Sequence, residues 1–142
     1  MTKNKIQSNS ADETRKRAEE LVASFRGGEI LALSGDLGAG KTTFSQGIAK
    51  GLGVSANVNS PTFVIMKQYK CKHPKIKILI HIDAYRLSQG SELETIGAME
   101  FFDRNDAIML IEWPENIKDI LPKKTKFIYF KQEREKRIIT FK

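Results

Sequence analysis

Residues 35–42 run Gly35-Asp36-Leu37-Gly38-Ala39-Gly40-Lys41-Thr42, a complete G-x-x-x-x-G-K-[ST] phosphate-binding pattern. The pattern constrains the fold because each residue type has a physical task. The glycines let the backbone curl so that successive N–H groups point at an anion. Lys41 adds a mobile positive charge for the β- and γ-phosphates, and the Thr42 hydroxyl can sit on a bridging Mg²⁺. A helix beginning at Lys41 aims its positive end at the same anion. The pattern therefore needs a strand before it and a helix after it. Glu29-Ile30-Leu31-Ala32-Leu33-Ser34 reads as a buried strand. Thr43-Phe44-Ser45-Gln46-Gly47-Ile48-Ala49-Lys50 reads as the helix, with Phe44 and Ile48 on one face.

The chain has 142 residues and reads as one domain. A domain of that size buries about 70% of its unfolded surface, enough for a real core. No apolar stretch is long enough to span a membrane. The basic N-terminus has no apolar run behind it and does not resemble a secretory signal. Cys71 is the only cysteine, which excludes an intramolecular disulfide and a cysteine-based zinc site. The chain is expected to be cytoplasmic. Its net charge of +7 is spread over Lys3–Arg26, Lys67–Lys77 and Lys123–Lys142. That distribution fits a solvated lysine-rich surface, with a docking surface for RNA or an acidic partner as the alternative.

Residues 1–9 are polar and expected to fray. Ser10-Ala11-Asp12-Glu13 is a capping box that opens a helix carrying Ala18, Leu21, Val22 and Phe25 on one face. Phe63–Tyr69 looks extended, and isoleucines 76, 78, 80 and 82 recur with the period of a strand. Ser91-Glu92-Leu93-Glu94 reads as a second capping box, opening a helix to about Phe102. Ala107–Ile111 is an unbroken apolar run, as for a strand buried on both faces. Pro114 and Pro122 bracket a loop or short helix, and Phe127–Phe130 can pair with Ile138–Phe141 across a charged Lys131–Arg137 turn. The fold class is α/β: a small P-loop sheet with flanking helices and antiparallel C-terminal strands.

A nucleotide hydrolase needs a further acid to hold the metal or its water. Glu112 ends the Ile108–Ile111 strand, and Asp83 ends the Ile76–Ile82 strand. Both are candidates, and the sequence does not separate the metal ligand from the group that polarises water. Ser60-Pro61-Thr62-Phe63 lies where nucleotide hydrolases often place a hydroxyl that senses the γ-phosphate, although it also spells a plain turn. His81 reads as a buried, hydrogen-bonded histidine, and Trp113 as packing or as an aromatic that meets a partner. Arg134 and Arg137 form R-x-x-R, either a solvated hairpin turn or a phosphate clamp.

Taken in order, Thr14, the 35–44 segment, Ser60-Pro61-Thr62-Phe63, His81-Ile82-Asp83-Ala84-Tyr85-Arg86-Leu87 and Ile111-Glu112-Trp113-Pro114-Glu115 resemble the bacterial TsaE family. That family is the ATPase component of the tRNA threonylcarbamoyladenosine machinery. The resemblance runs from Thr14 to about Arg137. Ala84 stands where the family usually has a larger apolar residue. The resemblance implies ATP with Mg²⁺, held by Asp36, Leu37, Gly38, Ala39, Gly40, Lys41, Thr42 and Thr43. Thr14 would lie near the base, with Thr62, Arg134 and Arg137 also at the nucleotide. It implies Thr42 and Glu112 as metal ligands, with Lys41, Asp83 and Glu112 serving hydrolysis and Asp83 at the γ-phosphate end. Its implied partners are TsaB and TsaD, with tRNA reached through their complex, where adenosine 37 of tRNAs reading ANN codons is modified. A small-molecule kinase would need a lid and an acceptor pocket, whereas the residues after Glu112 read mainly as a hairpin. A GTPase would need an Asn-Lys-x-Asp segment, which the sequence lacks. A nucleotide-dependent interaction module overlaps with the TsaE reading.

Overall fold

The structure is a computed structural model and describes residues 5–35, 40–58 and 65–142. Its centre is a seven-stranded sheet. The strands are β1 (Lys5–Ser8), β2 (Ile30–Gly35), β3 (Met66–Lys70), β4 (Ile78–Asp83), β5 (Ala107–Glu112), β6 (Lys126–Glu133) and β7 (Lys136–Phe141). They lie in the order β1-β7-β6-β2-β5-β4-β3. The four inner strands β6, β2, β5 and β4 are parallel, and the remaining pairings are antiparallel. Helices α1 (Ala11–Leu21) and α2 (Lys41–Gly51) cover one face. The short helix α3 (Ser91–Thr95) and two 3₁₀ segments, Ala98–Asp103 and Pro114–Ile120, cover part of the other.

Each face has its own core. Leu31, Leu33, Phe44, Ile48, Leu79, Leu110, Ile128 and Phe130 pack on the α1–α2 side. Ile30, Ile80, Ile82, Phe101, Met109, Ile111 and Ile117 pack on the other. The alternation follows from the strand period of two. Because β4 and β5 are interior parallel strands, both of their faces are covered. Hence Leu79 and His81 are as buried as Ile80 and Ile82.

The Ser10 cap forms as expected. Ser10 Oγ accepts the Glu13 N–H at 3.1 Å, and Glu13 Oε2 accepts the Asn9 N–H at 3.0 Å. Three expectations need correction. Residues 5–8 are not frayed: they form edge strand β1 on β7, burying Ile6 and Ser8 toward α1. The second capping box does not operate, since Ser91 already lies inside α3. Glu92 instead accepts from Ser88 N–H, Ser88 Oγ and Gln89 N–H, and Gly97, at φ 75°, ends the short helix well before Phe102. The C-terminal hairpin is longer than the apolar runs suggest, with Glu133 opposite Lys136 and only Arg134 and Glu135 in the turn. Charged residues continue the ladder there because that end of the hairpin projects past the core, with Lys131, Gln132, Glu133 and Lys136 all exposed.

Candidate active site

Open α/β sheets bind ligands beyond the carboxyl ends of their parallel strands. Here those ends bring the sequence-predicted groups together. Glu112 closes β5, paired in register with Leu33 of β2 on one side and Asp83 of β4 on the other. The chain leaves β2 at Gly35 and re-enters the described residues at Gly40, the N-cap of α2. Asp36, Leu37, Gly38 and Ala39, together with Thr62 and the rest of its Ser-Pro-Thr-Phe segment, lie outside the described residues.

Gly35 is required by its neighbour. At φ 140°, a Cβ there would stand 2.2 Å from the Phe130 carbonyl oxygen on β6. Lys41 opens α2 and is 5% exposed. Its Nζ donates to the Gly35 carbonyl at 2.8 Å and stands 4.7 Å from the centre of the Trp113 ring. The ammonium is thus fixed by a carbonyl and an aromatic face, both of which favour positive charge. Thr42 and Thr43 follow in the first turn of α2, both half-buried.

Glu112 is 5% exposed, and its Oε2 lies 2.7 Å from His81 Nε2 on the neighbouring strand. His81 is fully buried, as the sequence indicated, and its Nδ1 has no hydrogen-bond partner among the described residues. Asp83 is half-buried, and its Oδ1 accepts the Tyr85 N–H at 3.0 Å. Burial pushes the Asp83 carboxyl above its ordinary range, and the Glu112 charge adds to the rise. The Tyr85 N–H bond and electrostatic interactions with His81 and Lys41 oppose it. Two acids of unequal environment therefore stand side by side next to one lysine, an arrangement typical of sites that handle metal ions and protons.

The turn after Asp83 is tied to the segment after Glu112. Ala84, fully buried, donates its N–H to the Glu112 carbonyl, and Asn116 Nδ2 donates to the carbonyls of Ala84 and Tyr85. Ser34 Oγ donates to Glu115 at the end of β2. The sequence did not point to Asn116 or Glu115 as supports, because a loop amide or acid carries no periodic signal. Trp113 has φ 58°, directs its ring over Lys41 and lies 4.9 Å from the exposed Tyr85 ring.

The two arginines part company. Arg134 sits in the exposed hairpin turn with φ 56°. Arg137 is half-buried and reaches Gly40: a Cβ on that glycine would lie 3.4 Å from Arg137 Cδ and 3.8 Å from its Nε. Its Nη1 is buried and has no hydrogen-bond partner among the described residues. Thr14 is fully buried in α1, with its hydroxyl 2.7 Å from Ser8 Oγ and 3.1 Å from the Ser10 carbonyl it donates to. Thr14 therefore joins α1 to β1, and its hydroxyl does not face an open surface.

Comparison with known proteins agrees with the fold and the motifs. The family model described as "Threonylcarbamoyl adenosine biosynthesis protein TsaE" matches residues 8–139. The tRNA threonylcarbamoyladenosine biosynthesis protein TsaE of Bacillus subtilis is 40% identical over 131 residues, covering 92% of this chain and 79% of that protein. The protein of the same name from Haemophilus influenzae is 44% identical over 93 residues, 66% of this chain and just over half (56%) of its own length. A crystal structure of Bacillus subtilis YdiB superposes with a TM-score of 0.74 at 33% identity, covering 96% of this chain and 82% of that one.

Proposed function

The chain belongs to the TsaE family, and on that premise we propose that it binds and hydrolyses ATP with Mg²⁺ in support of tRNA threonylcarbamoyladenosine formation. The observation that carries this reading is the convergence of Lys41, Asp83 and Glu112 at the carboxyl ends of adjacent parallel strands, beside the N-terminus of α2.

The residues fit the nucleotide. Among the described residues, Lys41 donates to a carbonyl, that of Gly35, which a phosphate oxygen can replace. Arg137 offers a buried donor with no partner among the described residues, beside Gly40. A pair of cations flanking a helix N-terminus suits a polyphosphate. The donor set also fits magnesium, a hard cation that takes hydroxyl and carboxylate oxygens. Thr42 and Glu112 would hold it. Bound magnesium would neutralise charge developing on the transferred phosphoryl group and orient it.

The chain's own groups then have separate tasks. Lys41 and Arg137 hold the phosphates and stabilise the charge that grows on them. His81 keeps the Glu112 carboxylate in one orientation. Asp83, at the γ-phosphate end with its raised pKa, accepts a hydrogen bond from the attacking water and can take its proton. Thr62 would add a hydroxyl near the γ-phosphate, and the backbone of Asp36 to Ala39 would line the anion.

Hydrolysis would be coupled to homologues of TsaB and TsaD in the cytoplasm, with this chain resetting their complex rather than transferring the threonylcarbamoyl group. The test is a reconstitution. ATP turnover is measured for the chain alone and with those two proteins, for the parent and for Lys41→Ala. Stimulation by the partners, lost in the variant, is the expected result. A chain that binds no ATP by calorimetry, or turnover equal in parent and variant, refutes the reading.

A further inference from the structure

We infer that the open face of the β1–β7–β6 end of the sheet is a direct RNA-binding surface, separate from the nucleotide site. Ile6, Ser8, Ile128, Phe130 and Ile139 point from these strands toward α1 and α2. Alternation therefore sends Lys5 and Gln7 of β1, Phe127, Tyr129, Lys131 and Glu133 of β6, and Lys136, Ile138 and Thr140 of β7 to the opposite face. Lys142 follows on the same side, where its Nζ stands 5.3 Å from the centre of the Tyr129 ring. Phe127, Tyr129 and Ile138 belong to neither buried core, and Tyr129 is 40% exposed.

The chemistry of this face is specific in sign. Lys5, Lys131, Lys136 and Lys142 are all exposed. Glu133 is the one carboxylate that alternation places among them, and it pairs with Lys131 at 3.1 Å. That leaves three lysines whose charge no described ion pair balances: Lys142 at the exposed Tyr129 ring, Lys5 two strands from it, and Lys136 toward the hairpin turn, opposite Glu133. An aromatic on an open antiparallel sheet gives an unstacked base a platform, and surrounding lysines meet the phosphates on either side. An apolar protein partner would not call for this excess of cations. An acidic peptide would match the charge but would leave the ring's stacking face without a complementary group. The register reinforces the arrangement, because Tyr129 lies directly across from Thr140, which lies across from Lys5. Ring and ammonium thus sit two strands apart with β7 between them, a spacing a short stretch of nucleotides can bridge.

The experiment measures binding of a fluorescein-labelled ten-nucleotide single-stranded RNA and of unfractionated tRNA by anisotropy, across a range of KCl concentrations. Stacking on one ring predicts that Tyr129→Ala weakens binding roughly five- to hundredfold, while Tyr129→Phe retains it. The triple change Lys5→Gln, Lys136→Gln, Lys142→Gln should flatten the slope of log K against log salt by about two, at about 0.7 per lost phosphate contact. All variants should keep the parent's melting temperature and its basal ATP turnover, since none of these residues lies at the nucleotide site. Absence of RNA binding by the parent overturns the inference. So does Tyr129→Ala binding as the parent does, or poly-L-glutamate competing as well as RNA.

Discussion

His81 Nε2 and Glu112 Oε2 lie 2.7 Å apart on neighbouring strands, with the histidine fully buried and the glutamate 5% exposed. The pair explains how an acid can stand at the end of an interior strand. A carboxylate taken from water needs hydrogen-bond partners, and His81 supplies one diagonally from the neighbouring strand, where its own register partner is Leu110.

From this contact, His81→Ala should lower stability by about 1–3 kcal/mol, the usual cost of withdrawing a partner from a buried polar group. It should also raise the Mg²⁺ concentration needed for half-maximal hydrolysis, because Glu112 would lose its fixed orientation. Urea unfolding and a magnesium titration read the two effects separately. His81→Gln, which supplies an amide N–H donor in place of the ring nitrogen, should recover part of the magnesium response. An unchanged magnesium requirement in His81→Ala would show that the pair serves stability alone.

Asp83 makes a prediction of opposite sign for stability. Its carboxyl titrates above the ordinary range because burial and Glu112 disfavour its charge. Below the ordinary value of about 3.9 the group is protonated both folded and unfolded, and it contributes no pH dependence. As pH rises, the unfolded chain releases the proton first, so stability falls until the folded-state pKa is passed. Asp83→Asn removes that penalty and keeps an oxygen for the Tyr85 N–H. The variant should melt higher than the parent at pH 7, with the gap closing toward pH 4, and it should hydrolyse ATP far more slowly. Melting curves at several pH values, beside turnover in the reconstituted complex, check both halves.

Much of this arrangement was legible before any coordinates. The strand, loop and helix around Lys41 follow from a motif whose residues have fixed physical tasks, and the apolar run before Glu112 identified an interior strand. The buried state of His81 followed from its place in a strand of isoleucines. Other features depend on which strands become neighbours, which local pattern does not encode. Strand β1 looked like a polar tail because Ile6 and Ser8 acquire their burial only from β7 and α1. The Ser91 capping box failed because the helix already includes Ser91, with Gly90 at its N-cap, and Glu92 rather than Glu94 accepts from the preceding turn. The separation of Arg134 from Arg137 needed the two-residue turn, which puts one arginine in solvent and the other against Gly40.

The contact between α1 and α2 offers a test of packing against propensity. Alanine is favoured over glycine within a helix by about 1 kcal/mol. Gly47 lies inside α2, yet a Cβ there would stand 2.4 Å from the Arg15 carbonyl oxygen and 2.7 Å from Ala18 Cβ. The nearest obstacle is backbone, which cannot turn aside as a flexible side chain can. Gly47→Ala should therefore destabilise the chain by about 1–3 kcal/mol despite the better helix former. Equilibrium unfolding in urea measures the change, and a stabilised variant would mean that the two helices separate without penalty.

Arg137 distinguishes a phosphate contact from a structural cation. It occupies the end of β7 nearest Gly40, on the same sheet face as α2, and its Nη1 is buried with no partner among the described residues. A buried donor in that state carries a cost that a bound phosphate oxygen would relieve. Arg137→Ala removes the unsatisfied donor from the free chain, so its melting temperature without nucleotide should change little or rise. Its ATP affinity should fall about ten- to hundredfold, the range for one charge-assisted contact of about 1.5–3 kcal/mol. Arg137→Lys should recover only part of the loss, since an ammonium lacks the planar fork of the guanidinium. Arg134→Ala, in the exposed turn, should leave affinity where it was. Calorimetric titration of ATP into the three variants gives the ordering directly. Equal losses at positions 134 and 137 would restore the two-arginine clamp, and no loss at 137 would leave Lys41 as the main cation at the phosphates.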